Sequence, residues 1–362
     1  MSFRVSLVKM PLLSAFSNRS GTVLARSALI LQLTHDGAEA YSECVTDEAV
    51  SSTGEDNVTA VRAIKGALGE WLRGEPPSPE DFIAASRGVK GHRMAKAAIE
   101  MLLWDYVAKV KGLPIDRLLG QSRGYAEAGI ALGLGGGVET RSMIEGALKR
   151  GYKRIKVKVD RKAFERLKRV REAFPEIPLS ADANGCFELR RDLAALKRLD
   201  RFELQYLEQP LGHADLLGHS RLAKEISTPI CLDESVTTIE GAKEALRLKA
   251  ARVINVKPGR VGGLSVAIEI ARIARNGGAH VWVGGMLETG VGRAFNVALA
   301  SQKRVDYPGD TSPNDRYFQR DLVKNPFAME DGQVKPNPGS GIGVDLDRDF
   351  LASVTRRTWK IF

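Results

Sequence analysis

Arg154-Ile155-Lys156-Val157-Lys158-Val159 reads as a short strand with apolar residues on one face and two lysines on the other. Outward along the chain, runs of the same kind recur at Pro178 to Asp182, Leu204 to Glu208, Pro229 to Asp233 and Val253 to Lys257. Each closes or nearly closes on an ionisable residue, so Lys158, Asp182, Glu208, Asp233 and Lys257 stand 24, 26, 25 and 24 residues apart. That interval is about what one strand, one crossover helix and their connections consume in a parallel barrel. The stretches between, such as Ala163 to Phe174, Arg190 to Leu199 and Glu240 to Lys249, are charged and of helical period. The pattern predicts an α/β barrel of the TIM type with five ionisable side chains on one rim, at the C-terminal strand ends where barrel active sites lie.

A barrel needs roughly 200 to 250 residues, so a chain of 362 is expected to hold a second unit. Residues 1–125 read as an α+β capping domain, 126–324 as the barrel, and 325–362 as a Gly- and Pro-rich segment that packs back on the capping domain. The first part shows strands at Arg4 to Val8, Ala28 to Thr34 and Gly37 to Cys44 around a His35-Asp36-Gly37 turn. Helices are expected over Val58 to Trp71, Pro79 to Ala85 and His92 to Lys111. Ser14 to Gly21 reads as a loop, either plain solvent loop or a flap that closes over a pocket through Phe16, Ser17 and Arg19.

Composition narrows the function classes. With 43% apolar and 27% charged residues the chain is globular, and no run reaches the roughly 20 apolar residues of a membrane span. No export segment is evident at the start, so the cytoplasm is the expected compartment. Cys44, Cys186 and Cys231 are scattered, which suggests neither a disulfide framework nor a zinc site. The charge of +10 comes from 54 basic and 44 acidic residues spread along the chain. Such a diffuse excess argues against a nucleic-acid partner and favours a small anionic substrate.

Three acids on one rim can hold a hard divalent cation, Mg²⁺ with Mn²⁺ as the alternative, and leave part of its shell open for a substrate carboxylate. Removing a proton beside that carboxylate creates an enediolate whose charge the cation opposes. A lysine with a reference pKa near 10.4 is rarely a free amine at pH 7. Lys156 shares a strand face with Lys158, so its charge, like that of the nearby metal, is expected to lower the Lys158 pKa, about three units being enough to leave half of it neutral. Lys257 approaches from the opposite side of the barrel mouth, with Arg260 one turn further on to tune its charge. Taken singly, each element has an ordinary explanation: Asp182-Ala183-Asn184-Gly185 as a turn, Lys156 and Lys158 as the wet side of an edge strand, Asp233-Glu234-Ser235 as a helix cap. Gly133 to Gly137 reads as a strand-to-helix connection rather than a dinucleotide loop, because no acid follows about 20 residues later.

Lys156-Val157-Lys158, Asp182-Ala183-Asn184-Gly185, Leu207-Glu208-Gln209-Pro210, Asp233-Glu234-Ser235 and Asn255-Val256-Lys257-Pro258-Gly259 resemble the enolase superfamily, muconate lactonizing subgroup. The resemblance spans nearly the whole chain and implies a modified (β/α)7β barrel under a capping domain built from both chain ends. It also implies Lys158 and Lys257 as acid/base groups, Lys156 as helper, and Asp182, Glu208 and Asp233 as Mg²⁺ ligands. Lys257 to Gly263, Gly284 to Arg293 and Tyr307-Pro308-Gly309-Asp310-Thr311 are similar to the branch of o-succinylbenzoate synthases and N-succinylamino acid racemases. The implied reaction is dehydration of 2-succinyl-6-hydroxy-2,4-cyclohexadiene-1-carboxylate toward menaquinone, or racemisation with one lysine on each face. Candidate substrate contacts are Phe16, Ser17, Arg19, Asn184, Arg260, Gly285, Met286 and Glu288. Ala131 departs from the hydroxyl residue frequent in relatives. Dipeptide epimerase or cycloisomerase activity, or an idle binding protein of the same fold, are the competing readings. Barrels of this kind commonly form homo-oligomers.

Overall fold

The computed structural model describes residues 1–18, 21–48, 54–133 and 137–362. A parallel sheet runs in chain order through Gly129–Leu132, Arg154–Lys158, Leu179–Asp182, Leu207–Glu208, Ile230–Leu232, Val253–Val256 and His280–Val283, barrel strands one to seven. Helices Gly137–Lys149, Phe164–Ala173, Leu189–Leu199, Leu216–Leu222, Ile239–Arg247, Leu264–Asn276 and Gly290–Ala300 follow them in turn. The segment after the last helix closes the ring. Asp310 N donates to Val283 O at 2.9 Å, and on the other side Gly129 N donates to Gly309 O at 2.7 Å. Strand–helix alternation plus this closing segment gives the (β/α)7β architecture that the interval and the resemblance implied.

Strand periodicity decides which side chains enter the barrel. On strand two, Ile155 and Val157 join the large apolar cluster under the helices, which turns Arg154, Lys156 and Lys158 toward the axis. Deeper in the barrel Tyr206, Cys231, Val253 and Trp282 are fully buried, with Tyr307 packed on them. Their rings form a column: His280 to Tyr307 at 4.4 Å, Tyr307 to Tyr206 at 6.3 Å and Tyr206 to Trp282 at 5.9 Å between centroids. Arg154 and Lys156 cap it, their charged groups 4.7 and 4.5 Å from the Trp282 ring centre.

The capping sheet is antiparallel, in the order Thr355–Lys360, Ser2–Asn18, Gly21–His35, Ala38–Cys44. Both faces are apolar. Phe3, Val5, Leu29, Leu31 and Leu33 pack on Ile99, Leu102 and Leu103 of the helix Arg93–Val110, while Val8, Met10, Ala28 and Ile30 belong to the barrel's own cluster. The sheet is therefore sandwiched between its helices and the barrel. The helix expected over 58–71 is instead broken: Asn57–Ala63 is α-helical, Gly66 leaves helical backbone at φ −98°, ψ −121°, and Gly69–Leu72 is a tighter turn. No described helix is long and apolar enough to cross a membrane.

The loop expected at 14–21 is corrected in part. Phe16 pairs with Val23, Ser17 with Thr22 and Asn18 with Gly21, after a register shift between Pro11 and Phe16, so the first two strands extend as one long hairpin. Small polar residues give a weak strand pattern, but the ladder bonds come from the backbone and need no particular side chain.

Two buried carboxylates from the capping elements terminate barrel helices. Glu100, on Arg93–Val110, accepts from Leu264 N (2.8 Å), Ser265 N (2.8 Å), Ser265 Oγ (2.6 Å) and Trp104 Nε1 (2.9 Å) at the start of Leu264–Asn276. Glu43, on Ala38–Cys44, accepts from Thr289 N (3.0 Å), Thr289 Oγ1 (2.7 Å) and Gly292 N (3.1 Å) at the start of Gly290–Ala300. Each acid satisfies amides that the helix itself leaves without partners.

Candidate active site

The five residues of the sequence interval meet because their strands are laterally in register. Lys158 lies opposite Asp182, and Asp182 opposite Glu208. Glu208 lies opposite Cys231, and Asp233 follows two residues later on the same face. Ile254 pairs with Leu232, which sets Asn255 beside Asp233, with Lys257 two residues further toward the rim. Gly284 on the seventh strand's exit is required by this crowding, since a Cβ there would collide with Asn255 Oδ1 and Lys257 Cε.

The amines reach inward. Lys158 Nζ donates to Asp182 Oδ2 at 2.6 Å and to Asn184 Oδ1 at 2.5 Å. Four strands away, Lys257 Nζ donates to Asp233 Oδ2 at 2.8 Å. Lys156 Nζ, almost fully buried, donates to Glu208 Oε2 at 2.8 Å and to Asp310 Oδ2 at 3.2 Å. The second Glu208 oxygen accepts from Asn255 Nδ2 at 2.9 Å. Arg260 donates to the Asp233 carbonyl at 2.8 Å, and its Nη1 lies 2.7 Å from Asp233 Oδ1 without hydrogen-bond alignment, so that oxygen keeps no hydrogen-bond donor. Below them Arg154 pairs with Asp310 and donates to the Tyr206 hydroxyl at 2.6 Å.

Burial and the Lys156 ammonium act to lower the Lys158 pKa, while the Asp182 and Glu208 carboxylates together act the other way, and the net direction is upward. Lys156 is likewise held well above its ordinary value, because Asp310, Glu208 and Asp182 override the effect of burial. Glu208 is pushed up to about 7, first by burial and then by Asp182. Asp233 and Asp310 go well below the usual carboxylate range in spite of burial, Asp233 through Arg260 and Lys257, Asp310 through Lys156 and Arg154. Five cations (Arg154, Lys156, Lys158, Lys257, Arg260) thus interlock with five carboxylates (Asp182, Glu208, Asp233, Glu234, Asp310). The cluster is balanced as it stands.

The remaining candidates are distributed unevenly. Asn184 is at Lys158, and Arg260 is committed to Asp233 rather than placed against Lys257. Gly285, Met286 and Glu288 lie on the loop after strand seven. Glu288 is buried there, accepting from Met286 N at 2.7 Å and lying 3.3 Å from Arg293, and Met286 packs on the capping core. Phe16 and Ser17 have strand backbones at the hairpin's far end, with side chains outside the described part, and Arg19 lies outside the described residues. Among the described residues, the one group of three His, Cys, Asp or Glu side chains with all ligand atoms within 4.8 Å is His35, Asp36 and Glu75 on the capping sheet. The oxygens of Asp182, Glu208 and Asp233 are spread more widely, with lysine ammonium groups between them.

Sequence reasoning passed over Asp310, Arg154, Asn255 and Glu234. Period-2 alternation would have found two of them, since Arg154 precedes Lys156 and Asn255 precedes Lys257 on the same strand face. Asp310 lay within a string already singled out, but its partners Arg154 and Lys156 are more than 150 residues away.

Comparison with known proteins agrees with this geometry. Residues 4–120 match the model of the mandelate racemase / muconate lactonizing enzyme N-terminal domain, and residues 139–350 that of the enolase C-terminal domain-like family. The chain is 41% identical over 353 residues to N-succinylamino acid racemase of Thermus thermophilus, covering 96% of this chain and 95% of that one. It is 34% identical over 362 residues to o-succinylbenzoate synthase of Listeria innocua, covering 99% and 96%. The solved structure of an enolase superfamily member from Listeria innocua superposes with a TM-score of 0.96 at 33% identity, covering all of this chain and 98% of that one. The chain is therefore an enzyme, and it belongs to the enolase superfamily, in the family that joins the mandelate racemase / muconate lactonizing enzyme N-terminal domain to an enolase-like barrel.

Proposed function

We propose that this enzyme abstracts the proton α to a carboxylate with the help of Mg²⁺, and that its reaction is the o-succinylbenzoate synthase dehydration, with N-succinylamino acid racemisation in the same pocket. One observation carries the reading: two lysine amines enter the barrel mouth from strands four apart, each hydrogen-bonded to a different rim carboxylate. The relatives, a racemase at 41% and a synthase at 34% identity, support both activities.

Asp182, Glu208 and Asp233 would hold the cation. They are a hard oxygen set suited to Mg²⁺, and Asp233 Oδ1 is a buried acceptor with no hydrogen-bond donor. When bound, the cation supplies positive charge against the enediolate that forms as the α-proton leaves. With the acids so engaged, Lys158 loses the carboxylate that holds its proton, while Lys156 keeps Asp310 and stays charged beside it. Lys158 then takes the ring proton and returns it to the departing hydroxyl, which leaves as water. Lys257 stays protonated and faces the enediolate; in racemisation it exchanges a proton on the opposite face. The chain's net charge of +10 favours an anionic substrate.

The test is a pair of assays on purified protein with Mg²⁺ and with chelator: loss of the cyclohexadiene substrate, and deuterium uptake at Cα of N-succinylamino acids in D₂O. Lys158→Ala and Lys257→Ala should each remove exchange from one enantiomer. Activity in neither assay would refute the substrate assignment; exchange that survives both substitutions would refute the roles of the lysines.

A further inference from the structure

Lys158 is held by two groups, and the second has a holder of its own. Asn184 Oδ1 accepts from Lys158 Nζ at 2.5 Å, and Asn184 Nδ2 donates to Glu234 Oε1 at 3.1 Å. Asn184 sits in a left-handed turn, φ +42°, with its backbone N bonded to Asp182 Oδ1 at 3.0 Å, so its Cα is fixed relative to the metal-ligand candidates. What the backbone leaves open is the side-chain flip. An amide offers oxygen on one side and NH₂ on the other, and the two orientations occupy nearly the same space.

We propose that Glu234 is a positioning residue for Lys158, acting through Asn184. A Glu oxygen that faces the Asn184 NH₂ selects the orientation in which Oδ1 faces the lysine. That orientation suits a base. Oδ1 accepts one N–H of the neutral amine and leaves the nitrogen lone pair free to aim at substrate, whereas the flipped NH₂ would donate into the lone pair and compete with the substrate proton. Among the described residues Glu234 Oε2 is buried without a hydrogen-bond partner, so Asn184 is the side chain that the Glu234 carboxylate bonds. It comes from the turn after strand five and reaches the turn after strand three, so the relay also ties together the two loops that flank Glu208. No such relay serves the other amine, whose hydrogen-bond acceptor is Asp233 itself.

This asymmetry rests on the proposed function and gives a readout that a merely structural role would not move. Each lysine serves one face of the α-carbon, so the two enantiomers of an N-succinylamino acid report on the two amines separately, as assigned by Lys158→Ala and Lys257→Ala. Glu234→Gln can turn its own NH₂ to Asn184 and permit the flip. Deuterium exchange of the enantiomer served by Lys158 should then fall about 10- to 100-fold, the range of a misplaced reacting group, while the other enantiomer changes less than about twofold. Asn184→Leu, which removes the acceptor, should also lower exchange of the enantiomer served by Lys158. Equal loss for both enantiomers, or no loss, overturns the proposal. If the unsubstituted enzyme exchanges neither enantiomer, the functional reading fails instead, and the relay is judged by a crystal structure of Glu234→Gln. Lys158 should move away from Asn184 Oδ1, and an unchanged Lys158–Asn184 bond overturns the proposal independently of activity.

Discussion

Replacing Glu100 with Gln should alter how stability depends on pH, and the size of the effect follows from its burial. Glu100 is fully buried, and desolvation pushes its pKa up to about 7 from an ordinary 4.5, against the pull of the Ser265, Leu264 and Trp104 donors. A carboxyl whose folded pKa lies above its unfolded value binds its proton better in the folded state. Its contribution is therefore fully present below about pH 4.5 and is lost as pH rises through about 7. The difference of about 2.5 units corresponds to roughly 3.4 kcal/mol. Over 362 residues the unfolding entropy is about 0.76 kcal/mol/K, so the change corresponds to about 4–5 °C in midpoint if the chain unfolds as one unit. Gln cannot ionise. At pH 5 it should be less stable than Glu, because it offers one acceptor oxygen where four donors converge; by pH 8 the gap should have narrowed by about 2.5 kcal/mol. Calorimetric midpoints of both proteins at pH 5, 6.5 and 8 provide the check. A gap that stays constant across that range would show that Glu100 titrates alike in the folded and unfolded states, and would refute the reasoning.

Lys156→Met should leave Glu208 without its buried ion-pair partner and Asp310 with Arg154 alone, lowering stability by about 3–5 kcal/mol in urea unfolding, together with loss of proton exchange. Gly284→Ala should place a methyl against Asn255 and Lys257, so exchange through Lys257 falls about 100-fold while far-ultraviolet circular dichroism is unchanged. Chelation should abolish exchange and Mg²⁺ restore it. Mg²⁺ at about 100 times its dissociation constant should add about 2.7 kcal/mol to stability, and Asp233→Asn should abolish that increment.

The barrel was legible because its repeat unit has a characteristic length, and because five consecutive strands end on or next to a residue type that a barrel core would not otherwise tolerate. Lateral register was not legible. The sequence places Lys156 beside Lys158 but does not reveal that Asp182 lies directly opposite, where at 2.6 Å its carboxylate opposes the downward pull of the Lys156 ammonium on the Lys158 pKa. Asp310 was invisible as a partner for a related reason: its contacts are set by closure of the barrel, not by local pattern. Likewise Arg260 was placed by helical turn length near Lys257, whereas its fork is drawn to the nearer anion, Asp233. The hairpin through residues 16–18 shows the opposite failure, in which a composition typical of loops carries strand backbone because a neighbouring strand supplies the pairing.

The aromatic column beneath Lys156 gives the barrel a floor. From His280 through Tyr307 and Tyr206 to Trp282 stacked rings run inward, and Tyr206 and Trp282 are fully buried. A proton that a lysine removes from one side of a substrate has its path to water through the mouth, or returns to the same molecule. A stoppered vessel of this kind favours internal return of the label over wash-out, and the fraction of turnovers in which a proton comes back before mixing with bulk water becomes a property of the floor as much as of the bases above it.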